Sequence, residues 1–131
     1  MNYARKLQKF IKKKQQYFNS GYAANIGIIS AVAAANDLII ADILCHASIQ
    51  DAMQMSRATS RFFKHNDIAH LEQILSKERE NFNGCLVITE GVFSMDGDTA
   101  KLDEIYYLAR KYNCRIMVDQ AHCFGVLGPN G

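Results

Sequence analysis

The stretch Arg115-Ile116-Met117-Val118-Asp119-Gln120-Ala121-His122 determines how the rest of the chain is interpreted. Its apolar centre, residues 116–118, predicts a buried strand of a parallel sheet. The strand ends abruptly in the carboxylate of Asp119, and a glycine-rich segment follows at 125–131. Because open α/β sheets bind ligands at the carboxyl ends of their strands, Asp119 is a candidate binding residue. From its position alone, a structural role in capping the turn is equally consistent.

Strand and helix patterns alternate along the chain. The strands are predicted at 16–18, 37–42, 61–64, 85–90 and 115–119, and the helices at 2–12, 22–35, 48–57, 68–80 and 102–112. This alternation is typical of βαβ units. We therefore predict an α/β fold, with three α/β/α layers and a mainly parallel sheet, in a single domain over residues 1–131.

The helix predicted at 22–35 is apolar almost all round, which indicates a buried helix. Ser20 can cap its start. A helix that opens with Ser20-Gly21 offers free backbone N–H groups and the positive end of its dipole to an anion, phosphate above all. Many helices open in this way, so the signal is weak when taken alone.

Net charge and composition exclude few classes of function. The net charge is +2, but the first 36 residues contain six basic residues and no acidic one. This basic segment is either a nucleic-acid or membrane contact or the solvated face of a helix. We favour the solvated face, because Leu7, Phe10 and Ile11 recur at helical spacing beside the charges. The four cysteines form no CxxC pair, and neither a signal peptide nor an apolar run long enough to cross a bilayer is found, so a cytoplasmic protein is expected.

Several familiar metal-binding, nucleotide-binding and catalytic motifs are excluded because their residues are missing or wrongly spaced. Asp96-Gly97-Asp98 resembles the start of a calcium loop, but Lys101 and Tyr107 stand where an EF-hand needs glycine and glutamate. His65 and His70 are five residues apart and make a poor metal pair on one helix face. The glycines at 125–131 do not form a dinucleotide fingerprint, and no G-x-S-x-G sequence occurs.

Acids and imidazoles follow the predicted strands. Two strands end in Glu90 and Asp119, while His46 and His122 follow strand ends. In a parallel sheet these groups and the helix start at 20–21 gather along one edge. A phosphate site with an acid and two imidazoles suits a phosphorylated heteroaromatic cofactor better than a simple hydrolase.

Four blocks of sequence carry a specific resemblance. They are Phe18-Asn19-Ser20-Gly21-Tyr22-Ala23-Ala24-Asn25, His46-Ala47-Ser48-Ile49, Thr89-Glu90-Gly91-Val92-Phe93-Ser94-Met95-Asp96-Gly97-Asp98 and Val118-Asp119-Gln120-Ala121-His122. In this order they resemble the α-oxoamine synthases, pyridoxal-phosphate enzymes of fold type I. The family condenses a small amino acid with an acyl-CoA and includes 8-amino-7-oxononanoate synthase, glycine C-acetyltransferase, 5-aminolevulinate synthase and serine palmitoyltransferase. Of these enzymes, we favour 8-amino-7-oxononanoate synthase and glycine C-acetyltransferase as the kind that this chain resembles.

The resemblance implies a role for each site residue. Gly21 and Tyr22 would hold the phosphate of pyridoxal 5′-phosphate through their N–H groups. His46 would stack on the ring and take part in catalysis. Asp119 would pair with the ring nitrogen. His122 would hydrogen-bond the 3-hydroxyl oxygen of the ring, and Ser94 would also contact the cofactor. An ionised acid would keep the ring nitrogen protonated, which improves the ring as an electron sink.

The resemblance also implies missing parts. The family's N-terminal arm, Schiff-base lysine and C-terminal small domain match nothing in residues 1–131, so we expect a fragment of the large domain that is inactive alone. The family usually has an acid or serine at Gln120 and often glycine or serine at Cys123. The parent would be a homodimer that uses amino-acid and acyl-CoA substrates, with no nucleic acid. A non-catalytic subunit, binding module or gene remnant is the alternative.

Overall fold

The structure, a computed structural model, describes residues 16–128. Helices and strands alternate, as the sequence predicts. In chain order they are α1 (Gly21–Val32), β1 (Asp37–Asp42), α2 (Ala47–Met55), β2 (Thr59–Phe63), α3 (Ile68–Glu78), a 3-10 turn (Arg79–Asn81), β3 (Gly84–Glu90), α4 (Leu102–Lys111) and β4 (Arg115–Asp119). The predicted helix at 2–12 lies outside the described residues.

The four strands form one parallel sheet in the order β2-β1-β3-β4. Leu38 of β1 pairs with Thr59 on one side and with Cys85 on the other, and Glu90 at the end of β3 pairs with Asp119 at the end of β4. The chain leaves β1 in one direction to form β2 and then returns to the other side to form β3 and β4. The order therefore reverses between β1 and β3, and such a switch point is where open α/β sheets bind ligands.

Both faces of the sheet are covered, which gives the predicted three layers. Alternate residues of a strand point to opposite faces. In β1, Ile39 and Ala41 pack with α1 and α2, whereas Leu38 and Ile40 pack with α3 and α4. Each layer buries one side of the sheet, so the carboxyl ends of the central strands are held rigidly between helices.

Three expectations need correction. Residues 16–18 are not part of any strand in the described part of the chain. Helix α1 ends at Val32 and is not enclosed: Asn25 and Ile29 are buried, but Tyr22 is half exposed. Its apolar composition had predicted burial on all sides, yet only the face toward the sheet and α2 is covered in residues 16–128.

The predicted burial of β4 is also only partly realised. The strand is present over its predicted residues, but positions 116–119 are of intermediate burial and Arg115 is exposed. The reason is that, among residues 16–128, β4 lies at the edge of the sheet and has β3 as its single neighbouring strand. An apolar groove of about 390 Å³ opens between β4 and α4, lined by Tyr106, Ile116 and Val118 among others.

No helix within residues 16–128 combines the length and the hydropathy that a membrane crossing requires.

Candidate active site

A pocket of about 170 Å³ lies at the carboxyl ends of β1, β3 and β4. It brings together residues that are up to 101 positions apart in the chain. Its lining residues are Gly21, Tyr22, Asn25, His46, Ser48, Glu90, Asp119, Ala121 and His122. Five of the six predicted site residues are among them, and Ser94 is not.

The start of α1 forms one wall of the pocket. The Ser20 hydroxyl accepts the N–H of Ala23 at 3.1 Å, and the Ser20 carbonyl accepts the N–H of Ala24 at 3.0 Å. The N–H groups of Gly21 and Tyr22 precede these two and have no partner within the helix, since the first N–H groups of any helix lack one. The helix dipole adds a positive potential at this point. The wall is therefore suited to an anion.

Tyr22 is held by its side chain and not only by its backbone. Its hydroxyl donates to Oδ2 of Asp51 on α2 at 2.8 Å. This hydrogen bond is the main reason that the pKa of Tyr22 is raised above its usual value. The phenol therefore points to α2.

Asp119 ends β4 and lies beside the start of α1. Its Oδ2 accepts from the Asn25 side-chain amide at 2.9 Å, and its Oδ1 accepts from the N–H of Ala121 at 2.9 Å. The Asp119 carbonyl accepts the N–H of Gly91 at 2.8 Å, which ties the turn after β4 to the end of β3. The carboxylate is thus oriented by two donors and is not a simple cap of the turn.

His46 follows β1 and is the N-cap of α2. Its Nδ1 accepts the N–H of Ser48 at 3.2 Å and lies 2.7 Å from the Ser48 hydroxyl oxygen. Its own backbone N–H donates to Oε1 of Glu90 in a short hydrogen bond. Both the ring and the backbone of His46 are therefore fixed at the wall of the pocket.

Glu90 is almost fully buried at the end of β3, with an exposed fraction of 3%. Burial raises the pKa of its carboxyl group, the N–H of His46 opposes this rise, and the negative charge of Asp119 adds to it. Two acids that end adjacent strands thus have different tasks. Glu90 holds the backbone of His46, and Asp119 presents its carboxylate to the pocket.

The turn after β4 contributes the remaining wall. Ala121 and His122 are exposed residues of this turn and line the pocket. Ser94 lies in the loop between β3 and α4 and is exposed. Its predicted contact with a cofactor therefore stays a prediction.

A second polar cluster lies outside the pocket, around His65. Its ring contacts Asp42 and Asp98 and packs edge-on against Phe93, with ring centroids 4.5 Å apart. His70 instead accepts the N–H of Lys64 at 3.0 Å. Among residues 16–128, no group of three or more potential metal ligands is close enough to hold an ion.

Sequence reasoning missed the roles of Asn25 and Ser48. Both are buried, and they hydrogen-bond each other at 2.9 Å. A signal was present for Asn25, because it is a polar residue in an otherwise apolar helical stretch and buried polar groups need partners. No comparable signal marked Ser48.

Comparison with known proteins identifies the family. Residues 2–130 match the family described as aminotransferase class I and II. The chain is 54% identical over 114 residues to 8-amino-7-oxononanoate synthase of Treponema denticola, covering 87% of this chain and 29% of that protein. It is 47% identical over 128 residues to the enzyme of the same name from Thermoanaerobacter pseudethanolicus, covering 97% of this chain and 32% of that one.

Comparison with solved structures supports the same family. Serine palmitoyltransferase from S. paucimobilis, solved with a bound pyridoxal-phosphate–myriocin aldimine, superposes with a TM-score of 0.90 at 38% identity over 96% of this chain and 32% of that one. The 8-amino-7-oxononanoate synthase from Francisella tularensis gives a TM-score of 0.76 at 36% identity, covering 97% of this chain and 36% of that one.

The fold and the site thus define a three-layer α/β/α protein with the fold of the pyridoxal-phosphate-dependent transferases. The chain belongs to the aminotransferase class I and II family. The resemblance to the α-oxoamine synthases that the four blocks predict is confirmed. The chain spans about a third of the length of the relatives that it matches.

Proposed function

We propose that this chain is the cofactor-binding part of an acyl-CoA-dependent α-oxoamine synthase, of the kind named 8-amino-7-oxononanoate synthase, and that it binds pyridoxal 5′-phosphate. The observation that carries the proposal is the convergence in one pocket of the α1 start, Asp119, His46 and His122. The chain would form a single partial domain of a homodimeric cytoplasmic enzyme.

The pocket residues fit the parts of pyridoxal phosphate. The phosphate needs N–H donors and a positive potential, which the start of α1 supplies. The ring nitrogen needs an oriented carboxylate, which Asp119 supplies. The flat ring needs a small residue at one wall, and Ala121 lines the pocket there. The fit rests on these contacts and not on the relatives alone.

Each residue then has a defined task. The N–H groups of Gly21 and Tyr22 bind the phosphate, and Asp119 holds a proton on the ring nitrogen. His122 donates to the 3-hydroxyl oxygen. His46 covers the ring and borders the amino-acid site. When bound, the cofactor supplies an electron sink for negative charge that develops at the amino acid's α-carbon.

Catalysis needs more than residues 1–131. The family uses a lysine that forms a Schiff base with the cofactor, and none of the nine pocket residues is a lysine. We therefore expect that this chain alone binds the cofactor reversibly and does not release coenzyme A from an acyl-CoA in the presence of glycine, alanine or serine. The same observation would suit a non-catalytic subunit, which a lysine-bearing continuation of the reading frame would rule out.

The test uses pyridoxamine 5′-phosphate, which has the ring and phosphate but no aldehyde and cannot form Schiff bases with surface lysines. Calorimetry should detect saturable binding to the chain, weakened by Asp119→Ala and by His122→Ala. His70→Ala is the matched control, because His70 lies outside the pocket, and it should bind like the unchanged chain. Absence of binding, or equal losses in all three variants, would contradict the proposal.

A further inference from the structure

The side chains of four pocket residues form one continuous chain of hydrogen bonds. It runs from Asp119 Oδ2 to Asn25 Nδ2 (2.9 Å), from Asn25 Nδ2 to Ser48 Oγ (2.9 Å), and from Ser48 Oγ to His46 Nδ1 (2.7 Å). These residues come from β4, α1, α2 and the N-cap of α2. Asn25 and Ser48, in the middle of the chain, are 5% and 0% exposed.

The direction of these bonds is set at the Asp119 end by charge. An ionised carboxylate only accepts hydrogen bonds, so the amide nitrogen of Asn25, and not its oxygen, must face Asp119. The second hydrogen of that amide then points to Ser48 Oγ. Since Ser48 Oγ accepts from Asn25, its single hydroxyl hydrogen is available for His46.

The direction is set independently at the His46 end by helix capping. The backbone N–H of Ser48 can only donate, and it donates to His46 Nδ1 at 3.2 Å. Nδ1 must therefore present a lone pair, which also accepts the Ser48 hydroxyl hydrogen. In a neutral imidazole the hydrogen is then on Nε2. The two ends require the same direction, so the chain has no frustrated bond.

From this geometry we propose that Asn25 and Ser48 are positioning residues that couple Asp119 to His46 and fix the tautomer of His46 with its hydrogen on Nε2. His46 then offers a donor to a ligand, and the ligand atom that it meets is an acceptor, such as a carboxylate oxygen. For the identity of that ligand, the inference rests on the function proposed above.

The coupling is tested by NMR of the imidazole nitrogens in the uniformly ¹⁵N-labelled chain, with the His46 signals assigned from a His46→Gln variant. The unchanged chain should show Nε2 protonated and Nδ1 unprotonated. Asn25→Leu, which does not touch His46, should shift the Nδ1 signal, and Ser48→Ala should shift it further. Ser56→Ala is the control: it removes a 2.8 Å bond to the Met53 carbonyl at the far end of α2 and should leave the His46 signals unchanged.

Binding gives the second readout. Asn25→Leu and Ser48→Ala should weaken pyridoxamine 5′-phosphate binding by roughly five- to tenfold, the effect of one hydrogen bond, and Ser56→Ala should not. A hydrogen on Nδ1 in the unchanged chain overturns the proposal without any variant, and so do unchanged His46 signals in folded Asn25→Leu. If the chain fails to bind the probe while the NMR coupling is present, the proposed function is wrong and the positioning role stands.

Discussion

His65 Nδ1 lies 3.0 Å from Oδ1 of Asp42, and on the other side of the ring Nε2 lies 2.7 Å from Oδ2 of Asp98. Both ring nitrogens thus face carboxylates. A neutral imidazole has one N–H and can satisfy only one of them, whereas the imidazolium satisfies both. Burial alone would lower the pKa of His65, but the hydrogen bonds to Asp98 and Asp42 outweigh it and raise the pKa.

The two contacts of the His65 ring, with Asp42 and Asp98, form a bridge between these carboxylates. This bridge predicts that the free energy of unfolding depends on pH. Because the folded-state pKa is raised above the usual histidine value of 6.5, the stabilisation is fully present below that value and is lost as the pH rises through the folded pKa. His65→Gln should therefore lower the free energy of unfolding by about 1–2 kcal/mol at pH 5.5 and by clearly less at pH 8.5. Denaturant unfolding at both pH values measures this free energy. His70→Gln is the control, because the His70 ring accepts the N–H of Lys64 and has no carboxylate partner among residues 16–128. An equal loss at both pH values for His65→Gln would contradict the bridge.

Glu90 predicts a second pH effect, with the loss again on the alkaline side. Its pKa is raised above the usual glutamate value of 4.5, mainly by burial, so its contribution is fully present below that value and is lost as rising pH ionises the buried carboxyl group. Glu90→Gln keeps an oxygen for the N–H of His46 and cannot ionise. The melting temperature of the unchanged chain relative to Glu90→Gln should therefore fall between pH 4 and pH 8. The exposed Glu80→Gln should show no such trend, and a flat difference for Glu90→Gln would refute the prediction.

Gly91 has no room for a side chain. A β-carbon there would meet Sγ of Cys123 at less than any real contact distance, while the next atoms, Cys123 Cβ at 3.5 Å and the Asp119 carbonyl at 3.7 Å, would be ordinary neighbours. Gly91→Ala should cost about 1–3 kcal/mol of unfolding free energy, as overpacking does. Adding Cys123→Ala removes the sulfur and should restore most of the loss. Urea unfolding of the single and double variants measures this, and a double variant no more stable than Gly91→Ala would exclude the steric cause.

The order of elements could be predicted from the sequence because their patterns are local. The apolar run at 85–90 and the spacing of Leu102, Ile105 and Leu108 each identify an element by themselves. The convergence of His46 and Asp119 also followed, since parallel strands put their carboxyl ends at one edge. The motif resemblance then supplied roles that position alone left open.

The predictions that the structure corrects concern features that depend on contacts between distant segments. Residues 16–18 have strand-like composition, but a strand exists only where a neighbour pairs with it. The exposure of α1 and β4 depends on what covers their outer faces, which no periodicity records. The roles of Asn25 and Ser48 required knowing which side chains of α1 and α2 meet, 23 positions apart.

Asp119→Asn gives the sharpest test of the proposed chemistry and is made in the full-length enzyme. The variant nearly keeps the shape but has one acceptor oxygen in place of two, so it cannot serve both Asn25 and the N–H of Ala121. It also removes the negative charge that would hold a proton on the cofactor's ring nitrogen.

The electron sink would then weaken when charge develops in the transition state, so kcat should fall more than substrate binding. A loss of roughly two to four orders of magnitude, about 3–5 kcal/mol, is expected for an electrostatic effect of this kind. Gln120→Ala is the control, because Gln120 adjoins Asp119 but is exposed and does not line the pocket. Steady-state kinetics of coenzyme A release, with melting curves to confirm folding, compares the two. Equal losses in both variants would mean that the cofactor does not bind at the end of this strand.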